Sequence, residues 1–201
     1  MPEKQIYRAS NETEALRQGE ILSGVIQFKP VQFKPVPNET SSSFENLDFI
    51  RKMHPYAIVV SQDCDLDWDY KAKQNKSQPN KLLNSIILCE VYAAEDIRSN
   101  KANSDMNSQQ WNLVKTNRHE QYHFFEKVTP EYELIKQGLP ELTVDFKQVF
   151  GIDSQFLYDQ LKTKQTQRRT VLESPYLEHF SYRYHCFHGR IALPSPHVNE
   201  K

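Results

Sequence analysis

Three apolar runs constrain this chain most: EILSGVIQF at 20–28, YAIVV at 56–60 and SIILCEVYA at Ser85–Ala93. They are rich in residues that suit a pleated, buried surface. Long polar stretches separate them, and none of these stretches carries the pattern of a regular crossover helix. That combination predicts one antiparallel, strongly twisted sheet rather than a parallel one. The middle of SIILCEVYA is apolar on both faces, so it is placed centrally. Gly24 inside the first run predicts a bulge or a close backbone approach. Two more strands are expected. One spans 121–127, on Tyr122, Phe124 and Phe125. The other spans 141–150, where Leu142, Val144 and Phe146 alternate with a polar face and Gly151 ends the strand.

The connections are polar. Asn11 is placed to cap a short helix over 12–17. QFKPV occurs twice in tandem, at 27–31 and 32–36. The repeat is too short for a solenoid unit, and its prolines suit an edge strand or an extended loop. Residues 38–44 read as a linker, 45–53 as one or two helical turns, and 71–81 (KAKQNKSQPNK) as a mobile basic loop. Residues 109–115 end a helix that packs Trp111 and Val114, and 153–161 is helical. The last helix has the clearest marks. Ser174 is its cap, Pro175 its first position and Gly189 its stop, with Leu177, Phe180, Tyr184 and Phe187 on one face. The expectation is a mainly β (α+β) protein. It is one domain over 1–201, with a C-terminal helical extension over about 153–201.

Composition excludes some classes. A formal net charge of −1 excludes a strongly basic nucleic-acid glue, though not a local basic patch. Three widely spaced cysteines argue against a disulfide framework and for a reducing compartment. No apolar run approaches the ~18 residues of a membrane span, and the N-terminus lacks the apolar centre of a signal peptide. The expected location is cytoplasmic.

The chemistry concentrates behind the second run. Residues 61–69, SQDCDLDWD, place Asp63, Asp65, Asp67 and Asp69 at every second position. They imitate the start of a calcium loop, but Trp68 stands where glycine is required and Gln74 where a bidentate glutamate belongs. A looser magnesium site needs only one or two carboxylates plus waters; the plainer reading is a solvated loop of Asx turns. Cys64 among carboxylates is expected to be a buried or half-buried structural thiol, because reactive cysteines sit in electropositive sites. His119–Glu120–Gln121–Tyr122–His123 spells a zincin motif. On a helix it would put both histidines toward zinc, but its aromatic context favours a strand. His185, Cys186 and His188 near the end of the last helix suit its dipole rather than a metal. The dense basic run Lys162, Lys164, Arg168 and Arg169 suits phosphate contacts or a solvated connector.

QGEILSGVIQF, then HPYAIVVSQDCD, then SIILCEVY resembles the front half of the PemK/MazF-like toxin family. The resemblance implies a small SH3-like β-barrel, here with long loop insertions, and a bacterial defence or toxin–antitoxin setting. In that family an arginine precedes the proline of the second strand and a hydroxyl residue follows the third. Here His54 precedes Pro55, and Ala93 and Ala94 take the hydroxyl's place. The expected function is therefore a non-catalytic or weakly catalytic module binding RNA, DNA or a protein partner, without a cofactor. Lys162, Lys164, Arg168 and Arg169 would be its nucleic-acid contacts. The alternatives are a diverged endoribonuclease using His54, Asp63 and Asp65, and a zinc hydrolase using His119, Glu120 and His123.

Overall fold

The computed structural model describes residues 5–31, 48–75, 78–99 and 106–191. Seven strands form one sheet: β1 (Tyr7–Ala9), β2 (Glu20–Pro30), β3 (Phe49–Val59), β4 (Ser85–Ala93), β5 (Tyr122–Phe125), β6 (Leu142–Asp153) and β7 (Gln167–Leu172). The helices are α1 (Asp63–Asn75), α2 (Ala94–Ser99), α3 (Ser108–Lys115), α4 (Ser154–Lys162) and α5 (Tyr176–His188). The strand order is β1-β7-β2-β3-β4-β6-β5, antiparallel at every pairing. The order has two free ends, β1 and β5, so the sheet is not closed. The chain is thus a mixed α+β protein, mostly β, and the three apolar runs lie side by side as β2, β3 and β4.

Both faces of the sheet are covered, which explains the two-sided apolar character of the central strands. Ile21, Ile58, Cys89 and Val91 point to one side, where Phe180 and Phe187 of α5 close the core. Leu22, Ala57, Val59 and Leu88 point to the other, under Leu66 of α1 and Leu157 of α4. A smaller cluster joins Ile97, Val114 and Tyr122 beneath α2 and α3. Gly24 fulfils its expectation: its φ is +73°, and a Cβ there would stand 2.9 Å from the Gln165 carbonyl oxygen.

Several expectations are corrected. The acidic stretch is the start of α1, not a loop. Carboxylates suit a helix N-terminus, and Asp67–Lys71 and Asp69–Lys73 are i,i+4 pairs at 2.6 and 2.7 Å. That helix also takes in the first residues of the expected basic loop, and Pro79–Lys81 forms a single 3₁₀ turn. Residues 12–14 make a turn instead of a helix: Asn11 Oδ1 accepts from Thr13 N at 3.0 Å, an Asx turn that diverts the backbone. Residues 49–53 extend β3 toward its N-terminus, paired with the first QFKPV copy in β2. The second copy and the 38–44 linker lie outside the described residues. β6 runs through Gly151 to Asp153 because β4 continues to pair with it. In α5, Ser174 lies before the cap, and its hydroxyl donates to Glu178 at 2.8 Å. β1 and β7 were not anticipated.

Candidate functional site

β2 and β3 run past the rest of the sheet. β7 pairs with β2 only at Glu20, Ile21, Leu22 and Ser23, and β4 pairs with β3 only from Tyr56 to Val59. Beyond those points the two strands continue as a ribbon in register, from Val25↔His54 to Pro30↔Phe49. Val31 N donates to Asp48 O at 2.8 Å, which fixes the alternation of hydrogen-bonded pairs along the ribbon. Ile26, Phe28 and Pro30 of β2, and Phe49, Arg51 and Met53 of β3, therefore turn their backbone groups outward. Ile26 confirms this: the Gln160 amide of α4 takes its N–H at 2.8 Å and gives to its carbonyl at 3.0 Å, standing in for a strand.

The ribbon carries an uncommon amount of accessible apolar surface. Phe28 is 51% exposed, Phe49 57%, Ile50 57% and Met53 59%. Phe28, Phe49 and Met53 share one face with Arg51, because directly paired residues project to the same side. Phe28 also meets Phe156 of α4, with ring centroids 5.6 Å apart. Lys29 and Arg51 have no ion-pair partner among the described residues.

A polar network braces the root of the ribbon. His54 is 1% exposed and its ring stacks on Phe150, with centroids 4.0 Å apart and planes 8° apart. Its Nε2 lies 3.3 Å from Gln27 Oε1. Its Nδ1 lies 3.2 Å from Glu90 Oε1, a contact without hydrogen-bond geometry. Lys52 Nζ reaches the other Glu90 oxygen at 3.0 Å. Burial pushes the Glu90 carboxyl up, but contacts with His54, Lys52 and Tyr92 outweigh it and hold it down at about 2. Both His54 nitrogens thus face internal side chains.

The other predicted residues are placed apart from His54. Asp63 accepts from Arg17 at 3.0 and 2.8 Å and from Gln18 N at 2.7 Å. Burial raises its carboxyl, and these donors more than reverse that, leaving it below the ordinary range. Asp65 lies half-buried in the first turn of α1, its Oδ1 3.8 Å from the Sγ of Cys64, which is exposed and not buried as the sequence suggests. Since Asp63 and Glu90 titrate lower folded than unfolded, the stability they contribute is present above the ordinary carboxylate range and lost as pH falls from that range through their lower folded values. Thermal melts are expected to decline moderately between pH 7 and pH 5, where buried His123 takes up a proton only in the unfolded chain, and to drop steeply below about pH 4. Asp63→Asn should flatten that acid limb; an unchanged limb would remove Asp63 from the account.

The basic run is split. Lys162, Lys164 and Arg168 line one surface cleft of about 370 Å³ with Glu12, Glu14 and Tyr158. Lys164 pairs with Glu12 across it. Arg168 is buried and its donors are engaged internally: Glu20 at 2.6 and 2.8 Å, Glu14 O at 2.7 Å and Ala15 O at 3.0 Å. Arg169, also buried, binds Glu133 at 2.7 Å. Neither guanidinium faces outward as a phosphate contact would require.

The zincin letters do not form a helix. His119 and Glu120 lie in the turn before β5, and His123 is buried within it. Arg183 of α5 sits 3.0 Å from His123 Nδ1 and also binds the carbonyls of His119 and Tyr122. Burial first, and then the Arg183 charge, hold the His123 imidazole well below its ordinary range. Among the described residues, no three His, Cys, Asp or Glu side chains gather as a ligand set. No helix among them is long and apolar enough to cross a membrane. No family model, curated protein or solved structure matches the chain.

Sequence reasoning missed Glu90 and the ribbon face. A single acid inside the apolar run SIILCEVYA was the available signal for Glu90, because a buried carboxylate demands partners.

Proposed function

We propose that this chain is a non-catalytic binding module and that a protein partner docks on the β2–β3 ribbon. One observation carries the reading: Phe28, Phe49 and Met53 share one face of a short ribbon and are each more than half exposed. Isolated exposed apolar residues need no explanation, but a contiguous group marks a contact surface. The braced root supports the same role, since a rigid platform reduces the ordering cost of binding. A nucleic-acid ligand draws less support. Lys29 and Arg51, without ion-pair partners among the described residues, supply few phosphate contacts, and each contact contributes only a modest increment. The resemblance to PemK/MazF-like toxins supports a strongly curved, SH3-like arrangement of the strands and a toxin–antitoxin or defence setting.

Selection of a displayed random-peptide library on the full chain tests this. The recovered binders are expected to lose about tenfold or more in affinity when Phe49→Asp and Met53→Asp are combined. They should keep their affinity for Tyr182→Asp, an exposed change on α5. Binders indifferent to the ribbon substitutions would remove the reading.

A further inference from the structure

We infer that the ribbon's ligand is an extended peptide that adds as a strand to the outer edge of β3, with an acidic residue set between two apolar ones. This rests on the ribbon being the docking face. The backbone N–H and C=O groups of Phe49, Arg51 and Met53 point away from β2 and have no partner among the described residues. An unpaired row of this kind is a template for another strand. The equivalent row on β2 is weaker. Gln160 already occupies Ile26, and Pro30 has no N–H to give. Pro55 limits the β3 row at its far end.

Side chains on that edge specify the ligand. Phe49, Arg51 and Met53 project to one face at two-residue spacing, and a strand paired beside them presents its own residues at the same spacing. Apolar side chains opposite Phe49 and Met53, and a carboxylate opposite Arg51, satisfy all three. The pattern is apolar–x–acid–x–apolar. It reads the same in either strand direction. On the opposite face Ile50 is exposed and Lys52 is already held by Glu90, so the x positions carry little charge demand. A second copy of the chain fits less well: antiparallel self-pairing centred on this row would set Arg51 of one copy against Arg51 of the other, and like charges across strands repel. The edge is also not built merely to discourage pairing, because that is done with charges at exposed positions. Here Arg51 is the one exposed charge in the row, set between the apolar Phe49 and Met53.

The test uses the full chain, ¹⁵N-labelled, titrated with acetyl-Thr-Val-Thr-Glu-Thr-Val-Thr-amide. The amide resonances of Phe49, Arg51 and Met53 are expected to shift most. The peptide with lysine in place of glutamate should bind about threefold more weakly, and Arg51→Glu should reverse that order. N-methylation of alternate peptide nitrogens should abolish binding, because it removes the donors a strand needs. Equal binding of the N-methylated peptide would overturn strand addition, as would shifts that avoid β3. Binding by an eight-residue oligothymidylate in place of the peptide would assign the ribbon to nucleic acid. Shifts of these amides on raising protein concentration alone would assign it to a second copy. Selected peptides that need the ribbon but tolerate N-methylation would sink this inference and leave the docking face standing; ribbon-independent binders would sink both.

Discussion

Arg169→Ala is expected to cost about 3–5 kcal/mol, because it leaves a buried carboxylate without its counter-charge. Glu133 is fully buried, and its oxygens also accept from Ile135 N and Gln137 N at 2.9 Å and Gly138 N at 3.1 Å. Burial raises the Glu133 carboxyl, and the Arg169 bond and backbone donors hold it below its ordinary range. Arg168 and Glu20 form a second such pair, which ties the N-terminal turn to β7 through the carbonyls of Glu14 and Ala15. A small domain holds only about 5–15 kcal/mol in total, so Arg168→Ala combined with Arg169→Ala should leave little folded protein. Urea denaturation of each single variant measures the loss. Glu133→Gln with Arg169→Met should recover much of it, since removing both charges spares the uncompensated one. Single variants within about 1 kcal/mol of the parent would show that these guanidinium groups are effectively solvated, and would return them to the basic surface the sequence suggests.

Those arginines show where the sequence misleads. In QRRTVL the two charges read as a connector, and the carboxylates that neutralise them lie far away, at Glu20 and Glu133. No local pattern links them, so β7 was hidden. SIILCEVYA was legible to the residue as β4, because burial on both faces leaves a continuous apolar run. α1 failed for a different reason. Aspartates at every second position look like turn chemistry, whereas the pairs that settle the matter are Asp67 with Lys71 and Asp69 with Lys73. The family resemblance drew attention to His54, and the structure gives that residue a bracing part at the ribbon's root. The ribbon itself is illegible in the sequence because Phe49 and Met53 fall in a stretch that reads as helical turns. Their partners in β2 are distant in sequence, so only pairing reveals that they share a surface with Phe28.

Phe180→Ala is expected to cost about 3–5 kcal/mol, and deleting everything from Ser174 onward should give an insoluble or uncooperatively melting product. Phe180 is fully buried at the meeting point of α5 with β5 and β6. Its ring lies 5.3 Å from His123, 5.7 Å from Phe125 and 6.0 Å from Phe146, centroid to centroid. Phe187 extends the contact to Phe146 at 5.7 Å. Without α5 these strands would present that aromatic layer to water, at about 25 cal/mol for every Å² of apolar surface uncovered. The helix also delivers Arg183, which satisfies the carbonyls of His119 and Tyr122 and the side chain of Asn117. Arg183→Ala should therefore destabilise through unpaired acceptors, by about 1–3 kcal/mol and without opening the aromatic core. Differential scanning calorimetry separates the two effects. Phe180→Ala should lower the melting temperature more than Arg183→Ala does. A truncated chain that stays soluble with an unchanged cooperative melt would mean that α5 is a separable arm, and the sheet would then have to find its second face elsewhere.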